Sequence, residues 1–434
     1  MEKPKKISLK VQALSRVEGE GALDIRIKDG RVTRVHLRIY EPPRFFEALL
    51  RGRPYADAPD ITARICGICP VAYQMSAVTA LESIPGFQPG DAIQNLRRLL
   101  YFGEWIESHT LHILMLHAPD FFGVDSVFDL ARSFPEHIRD GLTLKKIGNA
   151  LVSTLGGREI HPVNVRVGGF YKIPPKQTLT RHLDALQQGL EIAVRLFRWV
   201  TTFPFPDFER TYVFVSMDEG DVYPVFGTHL NLNNERKIPV QQFEEVFEEV
   251  QVRHSHALHS RLKDGRTYLL GPLARINLNH TRLSPTAQAL IQEAGLTFPI
   301  RNPFQSVIAR ALEVVHALES SIEILENGDL EPDRPYEDLG EIAGTGMGCT
   351  EAPRGILYHR YRVAPNGEIL EAKIVPPTAQ NQACIEEDLY HLASQRVHLP
   401  VEQWARECEH AIRNYDPCIS CATHFLKVRI IEEP

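Results

Sequence analysis

Four of the seven cysteines fall into two Cys-x-x-Cys pairs, Cys66-Gly67-Ile68-Cys69 and Cys418-Ile419-Ser420-Cys421. Taken alone, such a pair is a metal clip or a dithiol couple, because the short spacer lets two sulfurs point the same way. Two pairs together supply four soft donors, which select zinc, iron-sulfur, copper(I) or nickel over magnesium or calcium. A zinc ribbon would carry its second pair about 15–20 residues after the first. Here 349 positions separate Cys69 from Cys418, so a shared site requires the fold to join distant parts of the chain. A structural four-cysteine zinc site is the plain alternative.

The elements that must position these pairs begin with segments Leu9 to Leu14, Gly21 to Ile27 and Val32 to Ile39. Their alternating apolar and polar residues and the Asp29-Gly30 turn predict an antiparallel sheet. Helical spacing follows: Arg44 to Arg51, then Ala72 to Ser83 after Pro70, which places the first cysteine pair at a helix N-terminus. There the macrodipole and free N–H groups favour thiolate. Ala92 to His117 reads as one long helix with His109 and His112 on one face, a pair expected to be hydrogen-bonded rather than metal-binding. The stripe Leu179, Leu183, Leu186, Leu190, Val194 and Phe197 predicts an amphipathic helix after Pro174-Pro175. Further helices are expected over 240–258, 285–293, 305–326, from about Gln382, and over 401–412. The acidic run 244–249 reads as a solvated face, and Gly344 to Cys349 as a Gly-rich loop. That GxGxG is a weak nucleotide signature, since no βαβ unit surrounds it. A hairpin is expected about Asn366-Gly367. The whole predicts a mostly α (α+β) body with an N-terminal antiparallel sheet and small peripheral β segments, as a single domain over 1–434.

The surroundings of the cysteines carry a family resemblance. Arg64-Ile65-Cys66-Gly67-Ile68-Cys69-Pro70 and Asp416-Pro417-Cys418-x-x-Cys421-x-x-His424 resemble the motifs of the large, catalytic subunit of nickel-iron hydrogenases. Arg16-Val17-Glu18-Gly19, Arg44-Phe45-Phe46-Glu47, the glycine pairs 156–157 and 168–169, and Glu351-Ala352-Pro353-Arg354-Gly355 extend the likeness over Leu14 to His424. Pro377 to Gln382 and the CATH of the last motif are most similar to the cytosolic, NAD(P)-linked branch.

The resemblance implies reversible heterolytic oxidation of dihydrogen. It implies nickel on Cys66, Cys69, Cys418 and Cys421, with Cys69 and Cys421 bridging to an iron that bears carbon monoxide and cyanide. It gives Glu18 as the proton gate beside terminal Cys418, and Arg354 and Asp416 as a charged layer over the metals. Pro353, Pro377 and Thr378 would face the cofactor, although Thr378 has the alternative role of a helix cap. Glu47 and His424 match a magnesium-type site, and oxygen donors with one imidazole suit such an ion. Ser108 stands where many family members carry Asp. Residues 425–434 follow the histidine after which members are trimmed, which implies a maturation protease.

With no spare cysteine set for an electron relay, an iron-sulfur small subunit is required, and the branch implies NAD(P)-reducing diaphorase subunits. Cys349, Cys384 and Cys408 have no CxxC partner and read as buried small hydrophobes. Net charge of −7 argues against nucleic-acid binding. No apolar run approaches the roughly 18 residues of a membrane span, and Met1 to Lys6 lacks an apolar leader, so a cytoplasmic location is expected. Two other classes compete: a quinone-reducing respiratory subunit, which shares ancestry but lacks the four cysteines, and a zinc scaffold or hydrogen sensor.

Overall fold

The computed structural model describes residues 6–42 and 44–423. The expectations for His424 and for the tail 425–434 lie outside the described residues.

Strands β1 (Lys6–Val11), β2 (Gly21–Lys28) and β3 (Arg31–Ile39) form the expected antiparallel sheet in that order. At its hairpin Asp29 and Gly30 both take positive φ, 53° and 74°, the geometry of a tight two-residue turn. Helix α1 (Pro70–Glu82) begins with Cys69 as its N-cap. Helix α2 (Asp91–Leu111) passes into a π-helical turn over His112–His117. With α3 (Pro135–Gly156), α4 (Leu183–Val200) and α5 (Ser306–Asn327) it makes the buried helical body. The stripe from Leu179 is split: Lys176–Thr180 forms its own short helix before α4.

Residues 240–258 are not one helix. A short helical turn at Phe243–Val246 gives way to β4 (Phe247–Gln251), antiparallel to β5 (Leu258–Leu262). Val240, Phe243 and Phe247 have helical spacing, but cross-strand pairing overrides that local preference. Nor is the acidic run wholly solvated. Glu244 is paired with Arg360 and Lys373, at 2.7 and 3.2 Å, and accepts from the Tyr358 hydroxyl at 2.8 Å. Burial pushes the Glu249 carboxyl up to about 8.

The Gly-rich segment is likewise a strand, β6 (Gly344–Ala352), paired with β7 (Gly355–Val363), which pairs in turn with β8 (Ile369–Val375). Its glycines serve close packing: a Cβ at Gly346 would come within 2.0 Å of the Ala80 carbonyl, and one at Gly348 within 2.5 Å of Ala80 N. The strand therefore lies directly on α1, the helix that starts at the first cysteine pair. Helices α6 (Pro377–Arg396) and α7 (Val401–Arg413) complete the chain up to the second pair, α6 starting five residues before its expected onset. Cys349, Cys384 and Cys408 are buried as expected.

Candidate metal centre

The fold brings both cysteine pairs together. Cys66 Sγ lies 3.3 Å from Cys418 Sγ, Cys69 Sγ 3.7 Å from Cys421 Sγ, and Cys418 Sγ 2.9 Å from Cys421 Sγ. All four are at most 4 % exposed. Each pair is fixed by different means. Cys69 sits on the N-terminus of α1, where Glu104 of α2 accepts from Val71 N at 2.7 Å and Ala72 N at 3.1 Å, an acidic cap delivered from another helix. The second pair leads into a 3₁₀ turn over Ser420–Thr423 and is held through its own backbone: Ile419 N donates to the Glu18 carbonyl at 2.9 Å, and Cys418 N to the Thr378 side chain, Oγ1, at 3.0 Å. Gly19 permits that approach, since at φ 89° a Cβ would stand 2.7 Å from the Ile419 Cβ.

Thiols so close in a dry core cannot all ionise alone. Contacts with Cys418, Cys421 and Cys69 hold the Cys66 thiol well below its usual range, while burial drives Cys418 well above it. Four thiolates need a bound cation to balance them. The donor set therefore fits a soft or borderline metal, as the motifs implied.

Around the sulfurs, Glu18 Oε2 stands 3.1 Å from Cys418 Sγ and accepts from Ser420 N at 3.0 Å. The Ser420 hydroxyl donates onward to Glu41 at 2.7 Å, leading toward the surface. Arg354, on the turn between β6 and β7, donates through Nε to the Asp416 carbonyl at 2.7 Å and through Nη2 to Asp416 Oδ1 at 3.0 Å. Its Nη1 is buried with no hydrogen-bond partner among the described residues. Asp416 holds this pose at a φ of 49°. Pro353 sits on the same turn, and Pro377 and Thr378 open α6. The cap reading of Thr378 is thus replaced by a contact to the ligand backbone. Glu47 is buried elsewhere, accepts from Ile374 N at 2.8 Å, and lines a polar cleft of about 630 Å³ with Glu249 and Lys373.

Several residues that support the centre were not singled out in the sequence. Tyr73 is one helical turn beyond Cys69 and fully buried, its hydroxyl raised well above the usual range by burial and then by Cys421. Arg44 donates to the Ile65 carbonyl at 2.7 Å and to the Ser420 carbonyl, clamping both motifs. Arg310 donates to the Asn414 carbonyl at 3.1 Å. Arg275 backs the turn of Arg354 through the Ala352 and Pro353 carbonyls, at 2.8 and 3.1 Å. Arg44 lies in the quoted motif Arg44-Phe45-Phe46-Glu47 without a role of its own assigned there, and Tyr73 had a signal in its i,i+4 spacing from Cys69. Ser108 brings no carboxylate. His109 and His112 both lie in the core: His109 Nε2 is in ion-pair range of Glu313, at 2.9 Å, and His112 Nε2 is hydrogen-bonded to the Arg413 carbonyl at 2.7 Å.

The profile of the nickel-dependent hydrogenase family matches residues 44–138 and 241–424, which include all four cysteines. The chain belongs to that family. Sulfhydrogenase 1 subunit alpha of Pyrococcus furiosus is 34% identical over 426 residues, covering 97% of this chain and 99% of that protein. The beta subunit of the NAD-reducing hydrogenase HoxS of Cupriavidus necator is 27% identical, over 96% of this chain and 95% of that one. Among solved structures, an NAD+-reducing [NiFe]-hydrogenase in its H2-reduced state superposes with a TM-score of 0.86 at 28% identity, covering 97% of this chain and 99% of that one. The fold is thus that of nickel-iron hydrogenase large subunits, mostly α with peripheral sheets. Membership makes this hydrogenase an oxidoreductase whose centre takes nickel and iron, and its relatives are subunits of larger assemblies. No described helix is long and apolar enough to cross a membrane.

Proposed function

We propose that this hydrogenase subunit oxidises and produces dihydrogen by heterolysis and exchanges the electrons with NAD(P) through an iron-sulfur small subunit and diaphorase subunits in the cytoplasm. The observation that carries the reading is the contact of Glu18 Oε2 with Cys418 Sγ at 3.1 Å, a carboxylate beside one sulfur of a four-thiol set. Cys66, Cys69, Cys418 and Cys421 would hold nickel, Cys69 and Cys421 also an iron bearing carbon monoxide and cyanide. When bound, that cluster supplies a site for the electron pair of dihydrogen, and the chain must supply the base for its proton.

Cys418 Sγ would take that proton first, because it is the sulfur that faces the Glu18 carboxylate. Glu18 Oε2 receives it next; the Ser420 N–H holds that carboxylate in place, while the Ser420 hydroxyl is bonded to Glu41 on the side toward the surface. Arg354 would act as a fixed charge near the cysteines, and Asp416 keeps its guanidinium plane oriented. Pro353 and Pro377 shape the walls, while Thr378 fixes the Cys418 backbone. Glu47, with His424, would form a hard-metal site suited to magnesium. The NAD(P) linkage is supported by the likeness to NAD-reducing hydrogenases.

The test is Glu18→Gln in the assembled complex. Proton–deuteron exchange with dihydrogen should fall by about 10²–10⁴-fold, the usual worth of a positioned acid–base group. Nickel, iron and the infrared bands of one carbonyl and two cyanides should be unchanged. Normal exchange in the variant would refute the gate. Absence of those bands, with zinc in place of nickel in matured protein, would end the hydrogenase mechanism.

A further inference from the structure

Away from the cysteines, a second set of metal-ligating side chains converges from three elements. His254 lies in the turn between β4 and β5, His259 on β5 and Glu386 on α6, with one donor atom of each within 4.8 Å of the others. His254 Nε2 stands 2.7 Å from Glu386 Oε1, and His259 Nδ1 stands 3.9 Å from Glu386 Oε2. These separations bracket the about 3.3 Å that two ligands keep across a tetrahedral ion with bonds of about 2.0–2.1 Å. The second is too long for a hydrogen bond. His36 of β3 stacks flat on His254 with ring centroids 3.8 Å apart, and Leu37 N donates to Glu386 Oε1 at 2.8 Å, so the set is built into the sheet as well.

We propose that His254, His259 and Glu386 form a binding site for a zinc-class divalent ion, separate from the four-cysteine centre. Two imidazoles and one carboxylate suit such an ion and not magnesium, and three protein ligands leave one position for water. The His254 and Glu386 side chains are 16% and 17% exposed, which provides that opening, whereas His259 is 2% exposed and anchors the site. Burial lowers His259 to about 4, so its ring is neutral and free to ligate at neutral pH. Leu258 lines the Glu47 cleft, and the strand alternation turns His259 to the opposite face. The bound ion would staple the β4–β5 hairpin to α6. Since α6 carries Thr378, which holds Cys418 N, the staple would steady the helix that seats the second cysteine pair.

A contrasting histidine group, His117, Asp120 and His410, also has its donors within 4.8 Å. Its carboxylate is already paired with Arg16 and Arg413, the latter at 2.8 Å, leaving little charge for a cation.

The assembled, nickel-loaded complex is dialysed against zinc and the metals are counted, in parallel with His254→Ala and His259→Gln. The expected result is one zinc per chain in the native complex, with at least tenfold weaker retention in both variants and unchanged nickel, and a zinc X-ray absorption spectrum showing nitrogen and oxygen neighbours only. No zinc retained, equal zinc in native and variants, or zinc with sulfur neighbours would overturn the site. Nickel is counted separately, so failure here and failure of the hydrogenase mechanism are told apart.

Discussion

Arg275 and Arg354 are both buried arginines on either side of one turn, and they are treated in opposite ways. Arg275 is fully engaged. It is bidentate to Glu313 at 2.7 and 2.8 Å, reaches Glu351 at 2.9 Å and two backbone carbonyls, and its guanidinium lies 4.6 Å from the Trp105 ring centroid. Glu313 in turn is bonded by Tyr223 at 2.6 Å and faces His109. Arg354 spends Nε and Nη2 on Asp416, and its buried Nη1 has no hydrogen-bond partner among the described residues. An unmatched buried donor destabilises a fold, and the role proposed for Arg354 at the metals would account for one here.

The sharpest test of the difference is Arg275→Met. It strands Glu313 and Glu351 in the core, and loss of one partner from a buried ionic network costs about 3–5 kcal/mol. Denaturant unfolding of the complex should show a loss of that order. A change under about 1 kcal/mol would mean the lattice is not the support it looks to be.

Arg354→Lys should invert the pattern. It keeps the charge but not the fork that spans the Asp416 carbonyl and carboxylate. Dihydrogen oxidation should fall by roughly 10²-fold, the scale of one lost preorganised donor, while the unfolding midpoint moves far less than in Arg275→Met. Equal destabilisation with full activity would erase the contrast.

The smallest effect concerns pH. Burial lowers His109 in the Arg275 lattice from the usual 6.5 to about 4. The unfolded chain then binds more protons than the folded one between those values, so this residue's contribution is fully present above about 6.5 and is lost as pH falls toward 4. His109→Gln should flatten the stability profile in that window only. An unaltered slope would show that His109 is not buried neutral.

The two arginines also mark how far the sequence could be read. Cys66, Cys69, Cys418 and Cys421 were legible because ligand chemistry fixes residue type and spacing over a few positions, whereas Glu18 and Arg354 were marked only by the resemblance of their motifs. Arg275, Arg310 and Glu313 were not: a lone charge on a helix has the same local pattern whether it faces solvent or a buried counter-charge. The same limit applies to secondary structure. The β1–β3 hairpins and most long helices follow local periodicity. The strand at Phe247–Gln251 is decided by hairpin pairing with Leu258–Leu262 and not by its own apolar spacing, and that at Gly344–Ala352 by the backbone of α1, distant in sequence.

The hydrogen bond from Ile419 N to the Glu18 carbonyl has a consequence for the birth of the molecule. At a synthesis rate of about 5–20 residues per second, the ribosome makes Cys418 roughly 20–70 s after Cys69. During that interval Cys66, Cys69 and Glu18 exist without the segment that completes them, as a half-basket of reduced thiols. The four-cysteine set therefore cannot close before Cys418 and Cys421 have been made.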